Sequence, residues 1–361
     1  MTALEEDNVL IDVADRVLRQ YDLGRVAEIQ PLAGGLINDS YRIQTVNRLF
    51  VLQRLHPIFS AEVHNDIDEI TKILDQKGFI TPRLVRTTDQ RLCVVDSEHR
   101  IWRLVTYIPG RSFAVMPSVD VAREAGRLVG RFHRAMESIW YHFRFSRPHA
   151  HDRKWHQANL EKAFEECRTN RWYHAVLDLW KQVRSAWIQQ PEDGFLRKWV
   201  CHGDLKLSNL LFDDESRGLA MVDLDTIGWM PITIELGDAW RSWCNRAGED
   251  AADIHFEVPI FHASVLGYAS EMQGKLSATE IEALSTSMQT IALELSIRFM
   301  ADTLQDRYFG WDQERYVCRA DHNWARANAQ FRLYQSMVQQ QDEITEIVQS
   351  VLSSGDRRPM R

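Results

Sequence analysis

The feature that most limits the fold is a change of hydrophobic period at Pro109-Gly110. Before it, apolar residues come in short runs bounded by turn residues. Ile29 to Tyr41 holds a Gly-containing turn between two such runs, and Arg48 to Leu55, Leu84 to Arg86, Leu92 to Val95 and Trp102 to Tyr107 are others. Runs of this length and composition read as strands. Two stretches have helical spacing instead: Asn8 to Tyr21, with Val9, Val13, Val17 and Leu18, and Ala61 to Lys77, with Val63, Ile67, Ile70 and Leu74 before Gly78. After the break the period is helical over Val121 to Ser138, Trp155 to Arg168, Tyr173 to Gln189, Val258 to Gln273, Ala278 to Ala301 and Trp324 to Val351. Strand signals survive only near Val200, Leu210 to Phe212 and Leu219 to Leu224. The expected class is α+β and bilobal, with a small β-rich N-terminal lobe over residues 1–105 and a larger, mostly helical C-terminal lobe over residues 106–361.

Length and charge narrow the partners. A chain of 361 residues is too long for one simple core. A formal net charge of −8 disfavours a nucleic-acid surface, which needs clustered Lys and Arg. No apolar run approaches the roughly 20 residues of a membrane helix, and Met1 to Asp7 is acidic, without the pattern of a signal peptide. Cys93, Cys167, Cys201, Cys244 and Cys318 are far apart and odd in number, which suits reduced thiols. The expected compartment is the cytoplasm. A polar tail from Ser353 to Arg361 is expected to fray.

Chemistry is densest in Val200-Cys201-His202-Gly203-Asp204-Leu205-Lys206-Leu207-Ser208-Asn209, followed by Val222-Asp223-Leu224-Asp225. Phosphoryl transfer needs a carboxylate to orient the attacking hydroxyl and hard oxygen ligands for the metal on the phosphates. Asp204 follows a short strand, Asn209 comes five residues later, and Asp223 ends a second apolar run. Two strands side by side would bring Asn209 and Asp223 to the same end, with Asp225 as a candidate for a second ion. A lone His-Gly-Asp is more often a capped turn. The joint pattern follows the spacing of a kinase catalytic loop.

These residues resemble the aminoglycoside phosphotransferase and choline kinase superfamily, whose fold is protein-kinase-like. The resemblance spans nearly the whole chain. Gly35 to Tyr41, Phe50 to Leu55, Gly237-Asp238-Ala239 and Arg298 to Asp302 make it nearest to the N-acetylhexosamine 1-kinase-like branch. It implies ATP and Mg2+ as cofactors, Asp204 as catalytic base, and Asn209 and Asp223, with Asp225, as metal ligands. It also implies a phosphate-covering turn over Ala33 to Asp39, with Gly34, Gly35 and Asn38, and a hinge at Thr106-Tyr107-Ile108 that meets adenine. One position departs from the pattern: where a third-strand cation is expected, the chain has Gln53, followed by Arg54. Asp68 and Glu69 are the candidates for its acidic partner.

For the acceptor, Arg298 and Asp302 lie four residues apart on one helical face with Tyr308 beyond, a set suited to sugar hydroxyls as well as to a plain ion pair. Trp324 is a further aromatic candidate. Glu235 and Asp238 are placed to support the catalytic loop or to cap a helix, and His202 to brace that loop. The expected activity is transfer of the ATP γ-phosphoryl group to a small-molecule hydroxyl, with the anomeric hydroxyl of a hexose or N-acetylhexosamine as the leading acceptor. The alternatives are a choline-, homoserine- or methylthioribose-type kinase, an aminoglycoside kinase, or a nucleotide-binding pseudokinase.

Overall fold

Alternation sets the sheet. In Asp39–Thr45 the residues Tyr41, Ile43 and Thr45 point inward, and in Leu49–Arg54 it is Phe50 and Leu52. A computed structural model describes residues 13–32, 38–190 and 196–353. The turn Ala33 to Ile37, the start of the first helical pattern and the tail after Ser353 lie outside the described residues.

The first compact unit holds residues up to Pro109 together with Trp140–Arg147 and Ala220–Asp225. Its sheet is antiparallel and runs β1 (Val26–Leu32), β2 (Asp39–Thr45), β3 (Leu49–Arg54), β6 (Ile101–Thr106) and β4 (Leu84–Val85), with β5 (Val94–Val95) also on β6. Helix α1, described over residues 13–18, covers one face: Val13, Ala14, Val17 and Leu18 join Ile43, Leu52, Trp102 and Leu104 in a common core. Strand register puts Gln53 opposite Ser40 on one side and Arg103 on the other. Helix α2 (Val63–Gln76) ends at Lys77, just before Gly78, which takes φ +71°.

The second unit holds Gly110–Ile139, Pro148–Leu219 and residues from Thr226 onward. Helix α8 (Ala278–Gln305) runs through its middle, started by a capping box between Ser277 and Glu280. Against it pack α4 (Arg153–Glu166), α5 (Tyr173–Ile188), α6 (Ile232–Trp243), α9 (Arg319–Gln339) and α10 (Gln341–Leu352), while α3 (Val119–Met136) and α7 (Val258–Met272) pack on each other. Helices α3 and α7 touch backbone to backbone: a Cβ on Gly267 would lie 1.8 Å from the Arg123 carbonyl oxygen. Strand β7 (Lys198–Cys201) pairs with β10 (Gly228–Pro231), which runs directly into α6, and β8 (Leu210–Phe212) forms a hairpin with β9 (Gly218–Met221). Among the described residues no helix is long and apolar enough to cross a membrane.

Candidate active site

The loop after β7 is held from behind by α6. Glu235, in the first turn of that helix and 2% exposed, accepts the amide of His202 at 2.7 Å and that of Gly203 at 2.9 Å. Two turns on, Trp243 Nε1 donates to the Leu205 carbonyl at 2.8 Å, and the Thr226 hydroxyl donates to the His202 carbonyl at 2.9 Å. Gly203 takes φ +82°, and a Cβ there would lie 2.4 Å from the Thr226 carbonyl oxygen, so only glycine fits this turn. Burial alone would raise the Glu235 carboxyl, but His133, 3.5 Å away, and the loop amides hold it below the ordinary carboxylate range. Cys201 completes a buried cluster with His133 and Glu235. Burial keeps that thiol protonated and Glu235 is committed to backbone amides, so the cluster braces the loop and does not suit a metal.

With its backbone fixed, Asp204 projects a partly exposed carboxylate. Lys206 Nζ lies 2.9 Å from Asp204 Oδ2. Asn209, closing the short 3₁₀ turn Leu207–Asn209, donates through Nδ2 to the Asp204 carbonyl at 2.9 Å and to Oδ2 at 3.2 Å. Those donors commit the amide nitrogen and leave the Asn209 oxygen as the end able to meet a cation. Asp223, after β9, sits at φ +65°, a left-handed conformation uncommon for a residue with a side chain. Asn209 in the second unit and Asp223 in the first each offer a hard oxygen donor of the type Mg2+ takes. Lys206 stands inside the motif, and its contact with the carboxylate gives it a place that spacing did not assign.

In the first unit the nucleotide candidates are largely committed to one another. Gln53 accepts from Arg103 Nε at 2.9 Å and donates to the Ser40 hydroxyl at 3.1 Å, while Arg54 Nε is 2.6 Å from Asp39. Asn38 donates to Asp225 at 2.8 Å and accepts the His56 amide at 2.9 Å. Gly34 and Gly35 lie outside the described residues. The amides of Thr106 and Tyr107 bond to the carbonyls of Arg83 and Leu49, which leaves Ile108 as the hinge amide not used in those contacts. Asp68 pairs with Arg86 at 2.6 Å and Lys72 at 2.8 Å, and Glu69 with Lys72, so neither answers a third-strand cation.

Asp225 needs correction as a metal ligand. Arg103, 3% exposed on β6, grips both its oxygens, and Asn38 takes a further position. Burial would push the Asp225 carboxyl up, but the Arg103 guanidinium more than offsets this and holds it low. Sequence reasoning missed Arg103. Its signal was a charge inside the otherwise apolar run Ile101-Trp102-Arg103-Leu104-Val105.

The acceptor candidates separate. Asp302, 2% exposed, accepts the amides of Arg307, Tyr308 and Phe309 and the Asn323 side chain, all between 2.8 and 3.0 Å. Its lone pairs are consumed in closing the end of α8, and none is left for a hydroxyl. Arg298 lies over the Phe309 ring at 5.5 Å and 3.6 Å from Glu294, and Tyr308 is 54% exposed. Trp324 stacks on Trp172 against the α8 core. Asp238 pairs with Arg241 at 2.8 Å on α6.

Residues 28–264 match the phosphotransferase enzyme family. A homoserine kinase of Methylobacillus flagellatus is 24% identical over 248 residues, covering 68% of this chain and 73% of that protein. The microcompartment-associated aminopropanol kinase superposes with a TM-score of 0.61 at 17% identity, covering 92% of this chain and 98% of that one. A choline/ethanolamine kinase family protein from Mesorhizobium loti gives a TM-score of 0.57 at 18% identity, covering 94% and 99%. The chain belongs to the phosphotransferase enzyme family and has the fold of aminoglycoside phosphotransferases and choline kinases, as an ATP-dependent kinase acting on an alcohol.

Proposed function

We propose that the protein phosphorylates the hydroxyl of a small acceptor that also carries an amino group, using Asp204 as base. The observation that carries this is the Asp204 carboxylate, fixed by Lys206 and Asn209 on a loop that Glu235 and Trp243 hold rigid. Asp204 accepts the hydrogen bond of the attacking hydroxyl and takes its proton as the new O–P bond forms and ADP leaves. The Lys206 ammonium offsets negative charge beside it. Asn209 and Asp223 would hold Mg2+, which when bound neutralises phosphate charge. Positioning and electrostatics then supply the rate, with no covalent enzyme intermediate.

Two points support an amino-bearing acceptor over a sugar. The relatives include a homoserine kinase, an aminopropanol kinase and a choline/ethanolamine kinase family protein. The sugar reading drew on Asp302 to accept hydroxyl groups, and Asp302 is spent on the turn after α8. Magnesium-dependent ADP release from ATP, run against homoserine, aminopropanol, choline, N-acetylhexosamines and aminoglycosides, tests the reading. Turnover with an amino alcohol, lowered about 10³-fold or more by Asp204→Asn with ATP binding kept, is the expected result. Turnover with sugars alone would restore the hexosamine acceptor. ATP binding without turnover on any acceptor would make the protein a pseudokinase.

A further inference from the structure

Strand alternation divides the cations of the small sheet between its two faces. Ser40 on β2, Gln53 on β3 and Arg103 on β6 stand opposite one another in register and so share a face. Asp39, Arg54 and Trp102 form the next rank and share the other face, the one α1 covers. Arg54 pairs with Asp39 and lies over the Trp102 ring at 6.0 Å, so it does not stand in for a cation at position 53. On the face of Gln53 the positive charge of the rank sits one strand away, at Arg103.

The members of that rank are committed in one direction. Gln53 donates to the Ser40 hydroxyl at 3.1 Å and accepts Arg103 Nε at 2.9 Å. The two terminal nitrogens of Arg103 hold the two oxygens of Asp225, and both side chains are buried. Asn38 donates to the same carboxylate at 2.8 Å while its own oxygen accepts the His56 amide. A neutral amide suits position 53, because it takes a hydrogen from the guanidinium and gives one to the hydroxyl. A lysine there would bring a second cation against Arg103, with the Asp225 carboxylate already neutralised. The neutral residue where a third-strand cation is expected is therefore a requirement of Arg103.

What the rank anchors is the segment proposed to bind metal. Asp225 follows Asp223 by two residues, about 7 Å of extended chain at most. Asp223 itself sits at φ +65°, a conformation that persists only where its surroundings enforce it. We infer that Arg103 is a positioning residue for Asp223. The cation of the sheet fixes that segment through Asp225 instead of meeting the phosphates of the nucleotide, whose charge is offset through the metal. This rests on the kinase reading above and adds how its nucleotide is held.

The test is binding, not turnover. A fluorescent, non-hydrolysable ATP analogue is titrated into the full-length protein with Mn2+ or with EDTA, and bound Mn2+ is followed by electron paramagnetic resonance. The wild-type protein is expected to bind the analogue about 10-fold tighter or more with Mn2+. Arg103→Lys keeps the charge but loses the planar fork. It should weaken binding with Mn2+ by about 10-fold, the scale of a charge-assisted hydrogen bond, and leave the EDTA value within about threefold. Asn38→Ala, which removes one donor from Asp225, should act in the same direction and serves should Arg103→Lys fail to fold. Gln53→Lys should not tighten binding in EDTA. Tighter binding by Gln53→Lys in EDTA would show that the position is open to phosphates. Wild-type binding as tight in EDTA as with Mn2+ would show that the metal is not needed. Equal losses with Mn2+ and EDTA in the folded variants, or no loss, would remove the positioning role. Each of these results overturns the inference and leaves the kinase standing. No binding of the analogue under either condition overturns the kinase reading and the inference together.

Discussion

Glu235 Oε2 accepts the Gly203 amide at 2.9 Å, at a backbone turn with no room for a side chain. Asp204, the proposed base and next in the chain, is thereby aimed by a buried residue whose carboxylate is taken up by backbone amides. In Glu235→Gln one of the two loop amides would face an NH2 group. We expect kcat to fall about 10- to 100-fold and stability to drop by about 1–3 kcal/mol, the cost of an unsatisfied buried donor. Steady-state kinetics and a urea melt on the same sample check both. An unchanged kcat would show that the loop holds its shape without Glu235.

Arg103 and Asp225 form a buried ion pair across 122 residues of chain. Removing one partner strands the other in the interior, which costs about 3–5 kcal/mol. Arg103→Met and Asp225→Asn should each destabilise on that scale, and the double variant should lose clearly less than their sum. Denaturant midpoints for the four proteins give the coupling. Additive losses would mean the two side chains act independently in solution.

Acid should weaken the fold earlier than ordinary carboxylates would. Burial, with Arg103 nearby, lowers His64 to about 4, and burial lowers His156 to about 4 as well. Both stay neutral when folded but take up protons near pH 6.5 when unfolded, so stability falls as pH drops from about 6.5 to 4. Each contributes up to about 3 kcal/mol of loss. Glu294 is opposed by burial but held at about 2 by His151 and Arg298, so its stabilisation disappears as pH falls from about 4.5 toward 2. His151 runs the other way: its folded pKa is raised, so its contribution is complete below pH 6.5 and is lost as pH rises through the folded value. Tm measured from pH 7.5 to 4 should decline below pH 6.5, and less so in His156→Gln. A flat profile down to pH 4.5 would contradict the assignment.

Much of this molecule could be read along the chain. The inward positions of β2 and β3, Gly78 at the end of α2, and the order Asp204, Asn209, Asp223 are local facts, because side-chain period, backbone freedom and loop spacing act over a few residues. Helical period left one choice open, between sugar contacts and a plain ion pair. Arg298 and Asp302 share a helical face, but Asp302 lies in the last turn of α8, where unpaired amides of the following turn compete for its oxygens and win.

What sequence alone determined was the class of fold and the kind of reaction, since each is written in contiguous or regularly spaced residues. Tertiary structure decided the rest: that Arg103 claims Asp225 and that Gln53 is tied to Arg103 and Ser40. It also decided that Glu235 steadies the loop, and that Glu294 gathers His151, His156 and Arg298. Those outcomes depend on which groups are buried together. Burial makes a charge choose its partner by distance in space, and distance in space is not encoded in any single stretch of chain.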